Sequence, residues 1–159
     1  MLRYVYGHDD IVAEFVRKLI PHCHRGFGKC RTIGIINEDG VLIAGIVYNN
    51  YDPDAEVIEL SGAAIDPRWL TRESIARMSR YPFLELGVQM VVQRTPMDNE
   101  PLLRQLAATN YTFIKVPRMF GRERDGVLCL LTYEDWVDNK FNKRFGHHLR
   151  EPVPAEEAA

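Results

Sequence analysis

The sequence has no long apolar run. No stretch approaches the ~18 consecutive apolar residues of a membrane-spanning helix, which excludes a helical membrane protein. Its start lacks a basic region followed by an apolar run and a small-residue cleavage site, so no secretory signal is expected. Cysteine is scarce: Cys23, Cys30 and Cys129 are the full set. An odd number at irregular spacing is no disulfide framework; it points to reduced thiols and a cytoplasmic protein. Charge of one sign is not in excess. Lys and Arg number 20 against 22 Asp and Glu, for a net charge of −2. The chain as a whole is therefore not drawn to nucleic acid or anionic membranes, and any such contact needs a local patch. His22, Cys23, His24 and Cys30 fall near one another but fit no zinc spacing, and no metal is expected. Neither an internal repeat nor an interdomain linker is visible.

What is present describes a globular chain. With 159 residues, 46% hydrophobic and 26% charged, it is long enough for one domain with its own core. We expect that domain over residues 1–145. The tail, 146–159, carries Pro152, Pro154 and three glutamates and is expected to be disordered.

Periodicity sets the elements. Leu2–Tyr6 reads as a short strand. Ile11, Val12, Phe15, Val16 and Leu19 recur at helical spacing until Pro21. A glycine-containing loop follows, then strands over 32–36 and 41–48 joined by Asp39-Gly40, a tight-turn signal. A third strand runs over 56–65. These three form an antiparallel meander. From Thr71, a plausible N-cap, the period turns helical, with a kink at Pro82 and an end at Gly87. Val88–Arg94 is a strand. Asp98 or Asn99 caps a helix that ends near Asn110. Segments 111–116 and 127–132 form a hairpin with Asp125-Gly126 in its turn, and Tyr133–Phe141 is a short helix or turn. The expected fold class is α/β: a mixed sheet with an antiparallel N-terminal meander and helices on both faces.

Several residues carry chemistry, each with a plainer alternative. Arg68 and Arg72 flank a helix start, where anions bind, or are solvated arginines. Trp69 covers a ligand or packs after Pro67. Asn99 binds a ligand or simply caps its helix. Lys115, Arg118, Arg122 and Arg124 interleave with Tyr111, Phe113 and Phe120, as on single-stranded nucleic-acid surfaces; a hairpin with one wet and one packed face gives the same pattern. Nucleic acid is the minority reading, and no membrane partner is expected.

The element order, with Ile65-Asp66-Pro67-Arg68-Trp69-Leu70-Thr71-Arg72, Tyr81-Pro82-Phe83-Leu84-Glu85-Leu86-Gly87-Val88, Asp98-Asn99 and Leu106–Tyr111, resembles the GNAT superfamily of N-acetyltransferases. It resembles in particular small acetyltransferase-like proteins of bacteriophages and prophages. The resemblance covers roughly residues 1–140. In the family's helix ending "L-x-x-x-G-F", Asn110 stands for the glycine and Tyr111 for the phenylalanine. It implies transfer of an acetyl group from acetyl-CoA to an unidentified amine, and leaves a homodimer open. It implies that Glu59 activates the amine, the alternative being a solvent-facing carboxylate, and that Ser61, Tyr111 and Tyr133 are candidates to protonate the leaving thiolate, the alternative for each being a structural hydroxyl. Backbone amides of Ala63, Ala64 and Ile65 would hold the pantetheine, Arg68, Trp69, Leu70, Thr71 and Arg72 the phosphates, and Asn99 the pantetheine arm. The family's phosphate loop carries glycines and this one has none. Two alternatives stay open: a GNAT-like binding or phage accessory protein without activity, and a nucleic-acid modifier on the same scaffold.

Overall fold

The computed structural model describes residues 1–145; the expected disordered tail, 146–159, and His147-His148 lie outside the described residues. The chain divides into two compact units: Met1–Tyr51 with Ile58–Met78, and Asp52–Val57 with the chain from Ser79 on. No helix among the described residues is long and apolar enough to cross a membrane.

The first unit contains β1 (Arg3–Val5), α1 (Asp9–Leu19), β2 (Cys30–Ile36), β3 (Leu42–Asp52) and β4 (Val57–Ala64). The strands lie in the order β1-β2-β3-β4, with β1–β2 and β2–β3 antiparallel. The β2–β3 turn is the one expected: Gly40 takes φ +80°, a conformation glycine adopts without strain. Asn37 organises it, its side-chain oxygen accepting from the Asp39 and Val41 amides at 3.1 and 2.9 Å.

Helix α1 presses Val12 and Val16, both buried, onto this sheet. It comes close because Gly34 of β2 and Gly45 of β3 sit opposite each other. A Cβ on Gly45 would lie 2.6 Å from Val16 Cγ2 and 2.9 Å from Val12 Cγ1. The glycine pair is a slot cut for the valines. Gly45→Ala should therefore destabilise the protein by about 1–3 kcal/mol, the scale of core overpacking, seen as a lower midpoint in urea unfolding. Asp9 in the first turn of α1 fixes the helix along the sheet. Its Oδ1 accepts from the amide and hydroxyl of Thr32 at 2.8 and 2.9 Å, and its charge suits the positive helix end.

Helix α2 (Arg72–Arg80) runs into a π-helical turn over Tyr81–Leu86. Pro82 has no amide for an α-helical ladder, so the expected kink takes the form of a widened turn. Gly87 closes it at φ +72°.

The second unit contains β5 (Met90–Pro96), α3 (Glu100–Ala108), β6 (Thr112–Val116), β7 (Gly126–Thr132), α4 (Tyr133–Asp138) and α5 (Lys140–Phe145). Strand β7 lies between β5 and β6, antiparallel to both. Leu106 of α3 packs with Val127 and Cys129, flanked by Met97, Leu102, Leu103 and Tyr111. Burial pushes the Tyr111 phenol well above its ordinary range, and Gln93 Nε2 donates to it at 2.8 Å. Asn110 takes φ +70°, the left-handed helix end for which it was read as the glycine substitute.

The β6–β7 connection differs from expectation. Asp125-Gly126 is not its turn; Gly126 is the first residue of β7 and pairs with Val116. A Cβ there would meet Met119 Sδ and Phe120 Cε2 at 2.7 Å, so Gly126 serves close packing under a longer loop. Asp125 shapes that loop by accepting the Arg118 amide at 2.9 Å. The mixed α/β class is as expected.

Candidate functional site

Strand β4 places the candidate catalytic side chains. Its pleat buries Ile58 and Leu60 on one face, so Glu59 and Ser61 share the other, both half-buried. Gly62, on the same face as Ile58 and Leu60, leaves Ile46 Cδ1 3.0 Å from where a Cβ would stand. At the strand end the Ile65 amide donates to the Ile43 carbonyl at 2.9 Å. Amides of successive residues point to opposite strand edges. Of the three amides named for the pantetheine, those of Ala63 and Ile65 thus face β3 and that of Ala64 faces away.

The glycine-free segment after β4 folds as a 3₁₀ turn, Pro67–Trp69. Asp66 is its N-cap and Pro67 its first residue, a favoured pairing because proline lacks the amide that would otherwise need a partner. Asp66 Oδ1 accepts the Arg68 amide at 2.9 Å. The amides of Trp69, Leu70 and Thr71 bond to the carbonyls of Asp66, Pro67 and Trp69 at 3.3, 3.3 and 3.0 Å. The four amides from Arg68 to Thr71 are therefore engaged within the turn. A glycine-rich loop opens such groups to a phosphate; this turn closes on itself.

Arg68 is also engaged. Its Nε lies 3.0 Å from both Asp66 carboxylate oxygens and its Nη2 2.6 Å from Oδ2. The guanidinium holds the Asp66 carboxyl below its usual range, chiefly through these side-chain bonds. Trp69, partly buried, packs against Ile35, Ile43 and Ala44. Leu70 is exposed.

Thr71 is the helix cap the sequence suggested, its Oγ1 accepting the Ser74 amide at 3.1 Å. The first intrahelical bond runs from the Ile75 amide to the Thr71 carbonyl at 3.0 Å. The amides of the first turn of α2 stand at its positive end. Arg72 is exposed beside them. Asn99 lies in the second unit, at the N-cap position of α3, and makes no side-chain capping bond. In the basic hairpin, Lys115 pairs with Asp125 at 3.4 Å and Arg124 with Asp98 at 2.9 Å, which offsets part of its charge. Among the described residues, no group of His, Cys, Asp and Glu is placed to hold a metal ion.

No family model matches the chain, and no curated protein matches it. Solved structures do match. Mutant forms of a spermidine/spermine N-acetyltransferase, SpeG, from Vibrio cholerae superpose with a TM-score of 0.69 at 12% identity, over 86% of this chain and 98% of that one. This is the GNAT fold. A dodecameric spermidine N-acetyltransferase from the same organism gives 0.68 at 11% identity, covering 86% and 96%. The manganese-bound SpeG gives 0.67 at 13%, covering 86% and 95%. Identities this low establish the architecture and nothing finer.

Sequence reasoning missed two groups in this GNAT frame. Asp66 stands just past the strand expected over 56–65, and Asp before Pro is a helix-start signal. Ser74 carries no signal in the sequence beyond standing three residues after Thr71, and burial makes it central to the turn.

Proposed function

We propose that this chain is an N-acetyltransferase that moves an acetyl group from acetyl-CoA to an amine. The observation that carries the reading is the GNAT fold together with a half-buried carboxylate, Glu59, on the β4 face that also carries Ser61. The strand leads within a few residues into the capped N-terminus of α2. In the reaction Glu59 takes a proton from the acceptor ammonium, because only the neutral amine is a nucleophile. The amine nitrogen attacks the thioester carbonyl, a C–N bond forms, and the C–S bond breaks. The attacking nitrogen then sheds a proton and the leaving thiolate takes one up; the Ser61 hydroxyl, on the same strand face, relays it by giving its proton to the thiolate and accepting the nitrogen's. The Ala64 amide, on the edge of β4 away from β3, is suited to the pantetheine carbonyls. The positive end of α2, with the Arg72 charge at its start, is suited to the pyrophosphate.

Calorimetric titration with acetyl-CoA tests this directly. We expect saturable binding, weakened at least about tenfold by Arg72→Glu, which replaces a charge-assisted contact by a repulsive one. Absence of binding at millimolar acetyl-CoA would leave a GNAT-fold binding protein in its place. The acceptor screen begins with spermidine, the amine in the names of the Vibrio proteins.

A further inference from the structure

Helix α1 and the loop that follows it, residues 20–29, border a cavity of about 390 Å³. All of it lies in the first unit. Asp10, Glu14 and Arg17 line it from the helix, Arg25 and Phe27 from the loop, and Cys30, the first residue of β2, from the sheet. The spacing 10, 14, 17 puts the three charged side chains on one helix face. Two of them satisfy each other. Arg17 Nε and Nη2 donate to the Glu14 carboxylate at 2.7 Å each, and these bonds hold the Glu14 carboxyl well below its usual range. The stem of Arg17 also supports the loop. A Cβ on Gly26, which takes φ +70°, would lie 3.6 Å from Arg17 Cδ.

The other two charges are opposite in sign, one on the helix and one on the loop. Asp10 and Arg25 are both exposed, and among the described residues neither has an ion-pair partner. The Asp10 charge reaches the sheet. The Cys30 thiol is pushed above its ordinary range, first by burial and then by the negative charges of Asp9 and Asp10. Asp9 is engaged by Thr32 and by Arg31; Asp10 is not. A neutral group beside Cys30 is open as well. Asn49 of β3 pairs with Cys30, so the two side chains share a face. Asn49 is 8% exposed. Its Nδ2 donates to the Phe27 carbonyl at 3.3 Å, while among the described residues its Oδ1 has no donor. Cys30 and Phe27, the neighbours that fix its place, both line the cavity. A buried acceptor without a donor is destabilising, and the terminal torsion of asparagine is soft enough to turn Oδ1 toward one that enters.

We propose that this cavity binds a free amino acid as its zwitterion, the carboxylate at the Arg25 guanidinium and the ammonium between the Asp10 carboxylate and Asn49 Oδ1. A simple cation would be opposed by Arg25, and a simple anion by Asp10. A ligand with both charges on a short frame answers both groups. The guanidinium is a planar fork that matches a carboxylate, and an ammonium brings three donors. Asp10 and Glu14 balance Arg17 and Arg25 in the lining, as suits a ligand without net charge. The volume, at the small end for ligand pockets, suits a molecule of this size. The site stands independently of the acetyltransferase reading above.

Calorimetry on the unchanged chain tests the site with the standard L-amino acids, each at millimolar concentration. Every amino acid that binds is then compared with two blocked forms of itself. Its amide keeps the ammonium and has no carboxylate; its N-acetyl form keeps the carboxylate and has no ammonium. We expect saturable binding of one amino acid or a chemically related few, with both blocked forms at least about tenfold weaker, the scale of one charge-assisted contact. Arg25→Ala should weaken the free amino acid about tenfold and leave its amide within about twofold. Asp10→Asn should weaken the free amino acid to a similar extent and leave its N-acetyl form within about twofold. A merely structural role for either residue would not sort the ligands by charge. Failure of every amino acid to bind overturns the inference. So does an amide that binds as well as its free amino acid, or an Arg25→Ala affinity equal to that of the unchanged chain. Spermidine is the remaining arm. If it binds, Arg25→Ala strengthens it and no amino acid binds, the cavity holds a polycation and the zwitterion is wrong. Asp10 stands in the first turn of α1, where its charge favours the helix; should Asp10→Asn not fold, Arg25→Ala on the loop decides the matter with the same ligands. Acetyl-CoA binding without amino-acid binding would end this inference and leave the acetyltransferase reading untouched.

Discussion

Glu59→Gln should cut acetyl transfer to an amine by about a hundredfold or more, the usual scale of general-base catalysis, while leaving acetyl-CoA affinity unchanged. The substitution keeps the shape of the side chain and most of its hydrogen bonding, and removes only the ability to take a proton. An alkylamine with a pKa of about 10.4 is almost wholly protonated at neutral pH. Without a base, transfer waits on the small neutral fraction in solution. That fraction grows tenfold per pH unit until the amine pKa is reached, so the deficit of Glu59→Gln should shrink as pH rises. The measurement is release of the CoA thiol, followed against pH with the best acceptor from the amine screen. Normal turnover by Glu59→Gln at neutral pH would remove Glu59 from the mechanism. A uniform deficit at all pH values would assign it to substrate binding.

Trp136→Ala should be the most damaging single change to the second unit, at about 3–5 kcal/mol, the range for removing a large buried aromatic. Trp136 is 3% exposed. Its ring stacks on Phe83 at 4.9 Å with 17° between the planes, and Tyr133 packs against both at 5.8 and 6.0 Å. Phe83 comes from the π-helical turn and the other two from α4. The trio therefore joins segments about fifty residues apart in sequence, and its loss opens a cavity that backbone on either side cannot close. The backbone here keeps its own tie, since Asn142 Nδ2 donates to the carbonyl of residue 136 at 2.5 Å, a bond the substitution retains, so the loss reports the ring. Chemical unfolding followed by circular dichroism measures the loss. The chain has two tryptophans, so Trp69→Phe makes Trp136 the sole indole fluorophore and isolates the second unit. A change under about 1 kcal/mol for Trp136→Ala would show that the trio is not a core in the sense of a close-packed interior.

Element identity was legible because it is written in short-range signals. The valines of α1 recur at helical spacing, the Asp39-Gly40 turn requires a residue that tolerates positive φ, and Thr71 precedes a helical period. Asn110 was readable as a left-handed helix end for the same local reason: its side chain tolerates a conformation that most residues avoid. The Asp125-Gly126 reading failed because the same dipeptide marks a turn or a packing gap, and only the positions of Met119 and Phe120 say which.

The site divides along the same line. The sequence by itself determined that a carboxylate and a hydroxyl share one face of β4, since strand alternation is fixed by covalent geometry. It also placed a helix N-terminus with an arginine just beyond the strand. What it did not contain is how the loop between them uses its hydrogen bonds. Asp66 holds Arg68, the turn consumes its own amides, and Tyr4 reaches Ser74 across seventy positions of chain. Those choices depend on which polar groups meet once the sheet and α2 have packed, and each is settled by the cost of leaving a buried donor or acceptor without a partner. Local propensity fixes where a strand or helix runs; tertiary packing alone decides which hydroxyl ends beside which carbonyl.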